Sequence, residues 1–495
     1  MRFRGPLADS YVAAALLVVF ALIPYLVLTS ATEPLQQLIG TSVGMSPQAL
    51  ANTTGMANAG YAFGTLLAVQ FAVRTRPRRM LLLYAVMLVL GSIVTALATT
   101  PAMFIAGHIA QGLCTSLLLI AAVPPLVIGW PAGRLPFSAG VMNLCVFGAV
   151  ALGPVVGGIE AGSHAWRPLF WLATGASCVA LLLVLLTWED QAAADPPGNW
   201  DPVSLLLAGG GCVGAFFGAS ELTTHRLLST IVFVPLLAGV AAIIVLVFHQ
   251  ATVRNPLVPV RELISTKPVA GIVAAMAAGA ASVSAVTLAE VAIKPTGAPA
   301  HLGSLFWPFF GGAVVMAVVF GILLRTRLLA ASVFVGLAML CGGIAVTTGV
   351  VGGPHSLVAV GSGLIGIGVG ASVAPALFVA GFSVKAAHIQ RVLALVELLR
   401  AVAAFLTGPI LLHLAMTANG GVKGEGIKTS LWVCFAIAAT GLLVSLYIFV
   451  LGRARLQRPD IALWQEGEQP AWNSPPLADG IRPRRGSRGK LMDVT

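Results

Sequence analysis
Apolar residues in this chain do not alternate with polar ones, and they do not recur at every third or fourth place. They come in unbroken runs, at 11–31, 51–73, 80–100, 102–128, 137–160, 168–188, 202–220, 228–248, 268–291, 304–324, 329–350, 356–380, 392–416 and 429–451. A helix needs about 20 apolar residues to cross the hydrocarbon core of a bilayer. A helix that is apolar all round has lipid or protein on every side. The pattern therefore predicts fourteen membrane-spanning helices. The seventh run, "LLLAGGGCVGAFFGA", is short and glycine-rich. The first run follows "MRFRGPLADS" directly, where a signal peptide would lie, but it is too long and no small-residue cleavage site follows it cleanly. It reads as a retained helix.

Composition agrees with that pattern. Hydrophobic residues make up 58% of the 495 residues and charged residues 9%, with mean hydropathy +0.95. A soluble chain would carry about a quarter charged residues. The formal charge of +11 would suit nucleic acid, but its distribution excludes that partner. With the N-terminus inside, seventeen Lys and Arg residues fall on the cytoplasmic side, among them Arg74, Arg76, Arg78, Arg79, Arg134, Arg325 and Arg327. The outer loops hold five: Arg167, Arg226, Lys294, Lys423 and Lys428. This is the positive-inside bias of a multi-pass protein with both termini in the cytoplasm. The six cysteines all fall inside the apolar runs without paired spacing. No cluster at metal-ligand spacing, no nucleophile setting and no phosphate-binding loop is present, so neither an enzyme, a metal, a cofactor nor ATP-driven transport is expected.

The two halves resemble one another. "AVRTRPRRMLLLYAVMLVLG" joins runs two and three, and "LLRTRLLAASVFVGLAMLCG" joins runs ten and eleven, each with Arg-Thr-Arg between apolar segments. A weaker pair is "AQGLCTSLLLIAAVPP" and "GIGVGASVAPALFVAG". Six-span halves are the build of many secondary transporters. The expected division is residues 1–188 for one half, 189–250 for a linker and two inserted helices, 251–452 for the other half, and 453–495 for a disordered cytoplasmic tail rich in Pro, Gly and Arg.

One stretch of the fifth run, "FGAVALGPVVGGIEA", carries Gly148, Gly153, Pro154, Gly157 and Gly158. Gly153 and Gly157 lie four apart, on one helix face that lets a neighbour approach closely. Pro154 cannot donate to the carbonyl of Val150, so a bend and an uncovered carbonyl are expected there. "GAVALGPVVGG", then "HAWRPLFW", then Asp201 opening run seven, "FHQATVRNPLVPVREL" and "LGSLFWPFF" with Pro308 resemble in order and spacing the fourteen-span drug:proton antiporter branch (EmrB/QacA-like) of the major facilitator superfamily. The resemblance covers about residues 11 to 452. It implies an all-α membrane protein with the major facilitator fold, fourteen transmembrane helices as 6+2+6. It also implies a gate role for the Gly-Pro kink residues and for the inner-loop arginines Arg74, Arg78 and Arg79.

Several positions depart from the family pattern. Tyr25 stands where an aspartate is usual, with Glu33 and Pro34 beyond it. Gln70, Arg74 and Pro77 replace Gly, Asp and Gly in the loop after run two, and His108 replaces the arginine ahead of Gln111 and Gly112. Intramembrane charge costs roughly 2.5–3.5 kcal/mol per residue at a helix centre, so the ionisable residues left there call for a role. His108 can titrate near neutral pH. Glu397 and Arg400 are three apart and share a face, so they can pair, either permanently or opening as the carrier rocks. These three are the candidates for proton coupling. Asn58, Tyr61, Gln111, Asn143 and Trp307 are candidates for a substrate cavity. Glu290 is expected to meet water or Lys294.

The expectation is an exporter of lipophilic or amphipathic compounds in the bacterial cytoplasmic (inner) membrane, exchanging them for protons by alternating access. Its partners would be the small-molecule substrate, protons, membrane lipids and a periplasmic adaptor protein. Two other readings stay open: a uniporter or importer of a small metabolite, which the altered motifs permit, and a non-transporting scaffold or sensor with the same fold.

Overall fold
The structure, a computed structural model, describes residues 4–72, 74–187, 189, 200–293, 303–350, 354–417, 425–467 and 469–477. Most of the linker expected at 189–201, together with Lys294, Lys423 and residues 478–495, lies outside the described residues. Among those described, fourteen long helices follow the fourteen apolar runs. They are α1 (Tyr11–Val43), α2 (Pro47–Ala72), α3 (Pro77–Ala96), α4 (Pro101–Ile128), α5 (Ala132–Gly162), α6 (Arg167–Leu186), α7 (Pro202–Ser220), α8 (Thr230–Thr252), α9 (Thr266–Ile293), α10 (Trp307–Leu323), α11 (Leu329–Thr348), α12 (Ser356–Gly381), α13 (Ile389–Thr417) and α14 (Glu425–Leu451). Thirteen of them are apolar enough to cross a bilayer, and α2 matches them in length but carries more polar residues. Helices are the expected choice because each satisfies its own backbone where no water can.

Packing repeats across the chain. α1 lies against α4, α5 and α6, α2 against α4, and α3 against α4 and α6; α9 lies against α12, α13 and α14, α10 against α12, and α11 against α12 and α14. These are the same six pairings, shifted by eight helices. One of them repeats down to its atoms. Thr95 Oγ1 bonds the carbonyl of Gly91 at 2.8 Å, and Thr347 Oγ1 bonds that of Gly343 at 2.8 Å. A Cβ at Gly107 would lie 2.2 Å from the first hydroxyl, and one at Gly361 2.3 Å from the second. Each glycine lets two backbones meet where any side chain would collide. The Arg-Thr-Arg turns repeat as well: Thr75 Oγ1 donates to Phe71 O and Thr326 Oγ1 to Leu323 O, both at 2.8 Å, closing the helix before each turn.

The halves meet along two seams, α2 with α13 and α5 with α10. The inserted pair α7–α8 lies outside this pseudo-symmetric frame, with α7 along α2.

Two expectations are revised. α1 continues past the apolar run to Val43, through Pro34, and stops where Gly44 turns left-handed (φ 74°) and donates to Gly40 O. A helix needs apolar residues only inside the hydrocarbon layer, so its end is not marked by the end of the run. Residues 454–467 and 469–477, which the sequence placed in a disordered tail, are ordered. A short helix, α15 (Ile461–Gln465), and the residues after it pack on the basic end of the bundle, with Trp464 fully buried and in edge contact with Phe382 at 4.9 Å. Two tryptophans supply apolar surface that the segment's polar composition hides.

Candidate functional site
A cavity of about 240 Å³ opens at the Arg-poor end of the bundle. α1, α2, α7, α9 and α13 contribute most of its wall, with Thr29 and Ser30 on one side, Phe405 and Gly408 on the other, and Glu33 and Glu290 toward the mouth. Of the five residues expected to line it, Asn58 does so. Tyr61 and Gln111 are fully buried beneath or behind it. Asn143 is buried between the halves, donating from Nδ2 to Gly370 O of α12 at 3.1 Å. Trp307 is half exposed and packs on Phe310, away from the cavity. Its position at the start of α10 turns the ring outward.

Directly below Asn58 and Phe405 lies the ion pair. Arg400 Nε donates to Glu397 Oε2 at 2.8 Å, its Nη2 donates to Oε1, and both residues are almost entirely buried. The partners beyond α13 come from the other half. Tyr61 Oη donates to Glu397 Oε1 at 2.8 Å, and the Arg400 guanidinium faces the Phe147 ring at 5.5 Å. A Cβ on Gly279 of α9 would touch Arg400 Cγ at 3.2 Å, so the absence of a side chain there makes room for the arginine. On its basic side Glu397 borders a void of about 10 Å³ walled by α4, α5 and α12. The carboxylate thus sits between the cavity floor and the closed end of the bundle.

Local sequence explains how Phe147 reaches that place. Residues Leu144–Gly148 of α5 form a π turn, one residue wider than an α turn. The Gly-Pro segment follows at once. The carbonyl of Val150, which Pro154 cannot serve, accepts from Ser30 Oγ at 2.7 Å. A Cβ at Gly153 would lie 2.0 Å from that same hydroxyl, and one at Gly157 would lie 2.5 Å from Ala31 O. The glycines therefore bring α1 close enough to repair the bond that proline breaks. Gly148 and Gly158 are buried beside them.

His108 belongs to a separate cluster within the first half. It lies between Phe104 (5.6 Å, stacked), Tyr25 (5.7 Å) and Phe170 (6.4 Å). Nδ1 faces Gln111 Oε1 at 3.2 Å, and Gln111 Nε2 donates to Ser92 Oγ at 3.1 Å. Tyr25 links this cluster to the site: it stacks on Tyr61 at 5.9 Å and donates to Asn58 Oδ1 at 3.0 Å. The tyrosine that replaces an acid in the motif is therefore a hydrogen-bonding wall between His108 and the cavity floor.

The basic end is shut. Gln390 Nε2 donates to Ile120 O at 3.0 Å, and Arg325 Nη2 to Ala132 O at 2.7 Å, both across the halves. The segment after α14 adds a clasp, with Gln465 Nε2 on Val127 O and Trp130 O, and Trp464 Nε1 on Val384 O. Of the inner-loop arginines, Arg78 is buried and donates to Thr187 O at 2.8 Å. Arg74 lies over the Trp200 ring at 4.9 Å, and Arg79 is exposed.

A model of the Major Facilitator Superfamily matches residues 12–408. The chain belongs to this superfamily. Among curated relatives it is 27% identical over 280 residues to the uncharacterized MFS-type transporter YubD of Bacillus subtilis, covering 55% of this chain and 54% of that one. It is 26% identical over 171 residues to the lincomycin resistance protein LmrB of Listeria innocua, 34% of this chain and 36% of that one. The chain therefore spans about half the length of these relatives or less. Among solved structures it resembles a POT family transporter in complex with 5-aminolevulinic acid (TM-score 0.62, 14% identity, 90% of this chain and 96% of that one). It also resembles the human organic anion transporter MFSD10 (TM-score 0.61, 11% identity, 88% and 99%). The family and the structural neighbours are transporters, not enzymes.

Proposed function
We propose that this major facilitator exports lipophilic or amphipathic compounds across a bacterial inner membrane in exchange for protons, as the fourteen-span drug:proton branch does. Its basic end and both termini are cytoplasmic in this reading, and the cavity faces outward. The observation that carries it is the Glu397–Arg400 pair, held beneath the cavity by Tyr61 of the opposite half. Ionised Glu397 ties α13 to α2 and helps hold the basic end shut. A proton entering from the cavity side removes the charge that Arg400 and Tyr61 share, and that weakens the seam. The halves can then rock, expose the site to the cytoplasm, release the proton and take up cargo. The cavity's apolar wall with a few hydroxyls and amides suits amphipathic cargo. Relatives named for lincomycin resistance and for tetracenomycin C resistance and export support the same class.

The test uses inside-out vesicles made acid inside, with a pH dye and a panel of amphipathic compounds. Collapse of the gradient that requires both the protein and a compound is the expected result. Labelled compounds moving down their own gradients without proton movement would instead identify a uniporter.

A further inference from the structure
The pseudo-symmetric frame does not account for α7, yet five cavity residues come from it and the turn after it: Phe216, Ala219, Ser220, Leu222 and Thr223. α7 is fixed to α2 along its length. Near the basic end, the Asp201 backbone N donates to Gln70 Oε1 at 3.3 Å. Further along, a Cβ on Gly55 would lie 3.2 Å from Phe216 O, so the two backbones nearly touch. At the Arg-poor end, Ser220 Oγ donates to Asn52 Oδ1 at 2.6 Å, and Asn52 Nδ2 donates to Glu221 Oε1 at 2.8 Å. Gln48 Nε2 reaches Ser220 O at 3.4 Å. Toward the second half, His413 Nδ1 donates to Leu222 O at 2.9 Å. α8 backs this arrangement, since a Cβ at Gly239 would lie 2.2 Å from Ala215 N of α7.

We infer that α7 is the specificity wall of the cavity. It rides with the first half and fills the gap between α2 and α13 on the Arg-poor side. Cargo meets the Phe216 ring there and not lipid chains, so Phe216 and Leu222 set the width of compound accepted. The ties to α2 outnumber those to α13, so the Leu222–His413 bond is the one that opens when the halves rock. This rests on the cavity being the cargo site.

The test titrates two cationic dyes of different width, ethidium and rhodamine 6G, with the purified full chain. Phe216→Trp should weaken binding of the wider dye at least tenfold relative to the narrower one, and Phe216→Ala should shift the ratio the other way. Equal changes for both dyes would overturn the inference. If the unaltered chain binds neither dye, the amphipathic-cargo reading fails on its own account, and a staple then decides the position of α7. It is made in a full chain whose six cysteines are alanine. Asn52→Cys with Ser220→Cys should oxidise to a disulfide without lowering the melting temperature, and adding His413→Ala should leave that disulfide intact. Failure of the disulfide to form would overturn the wall.

Discussion

Two buried ionisable centres lie side by side in this protein, and their surroundings differ in one respect. Every contact described above for His108 comes from the first half: Phe104 and Gln111 of its own helix, Tyr25 of α1 and Phe170 of α6. Glu397 and Arg400 of α13 meet Tyr61 and Phe147 of the opposite half. A ligand, here a proton, shifts a two-state equilibrium only by its differential affinity for the two states. A group whose neighbours all move with it offers little difference. A group on the seam changes partners when the halves rock. In the proposed exchange, position relative to the seam, more than capacity to titrate, favours Glu397 over His108 as the candidate for coupling.

The largest test of that comparison exchanges the two groups' protons for amides. Glu397→Gln should lower proton-driven transport at least tenfold and flatten its pH profile, whereas His108→Gln should keep the profile. The opposite outcome in vesicle flux assays would break the comparison. Removing one partner of a buried pair costs roughly 3–5 kcal/mol, so folding must be followed separately. Glu397→Gln combined with Arg400→Gln should recover thermal stability and leave transport uncoupled.

A second test concerns packing inside one half. Gly157→Leu would drive a side chain into Ala31 O and Pro34 Cγ, which already stand 2.5 and 2.8 Å from the position of a Cβ. Transport should be abolished with membrane insertion retained; normal flux would show that α1 and α5 need not stay close. A smaller effect is expected from Tyr61→Phe, which removes one hydrogen bond to a charged acceptor across the seam. Such a bond contributes about 1.5–3 kcal/mol, or roughly tenfold or more in the balance between the two facing states. Cysteine accessibility from the basic side should rise accordingly, with no change in the stacking on Tyr25.

Much of this was legible in the chain and some was not, for identifiable reasons. Lipid forces each span to be apolar along its whole length, so the fourteen helices could be read directly. The Glu397–Arg400 pair is local, three residues apart, and its spacing predicts the contact. Tyr61 and Glu397 are 336 residues apart, and no spacing rule joins them. Phe104 stands one helical turn before His108 and was the available sign that the histidine is caged. The glycines and threonines at 91, 95 and 107 recur at 343, 347 and 361, a repeat visible in the sequence only once the helix pairing is known. Ser30, which serves the carbonyl that Pro154 leaves open, carries no signal of its own. Trp464 and Trp472 marked the tail as foldable against its polar average. The cavity role of α7 was hidden by its own glycine-rich apolar run, which reads as filler.

The smallest predicted effect concerns a carboxylate that holds a joint and takes no part in the seam. Asp201 caps α7, accepting from Ser204 N at 3.0 Å and Ser204 Oγ at 2.6 Å, and from Gln250 Nε2 of α8 at 3.1 Å. Partial burial alone would raise its pKa, but the bonds from Ser204 and Gln250, with His249 nearby, outweigh burial and hold it below the usual 3.8. A depressed folded-state pKa means that the ionised form stabilises the fold above the ordinary aspartate range, and that this contribution is lost as pH falls through the lowered value. Asp201→Ala should therefore cost about 1 kcal/mol at neutral pH, the usual loss for an N-cap. Thermal unfolding in detergent should show a melting temperature a few degrees lower. The gap to the unaltered protein should narrow on acidification below the ordinary aspartate value, while the pH profile of transport in vesicles stays where it was. A gap that persisted unchanged into acid would mean that Asp201 acts through packing and not through its charge.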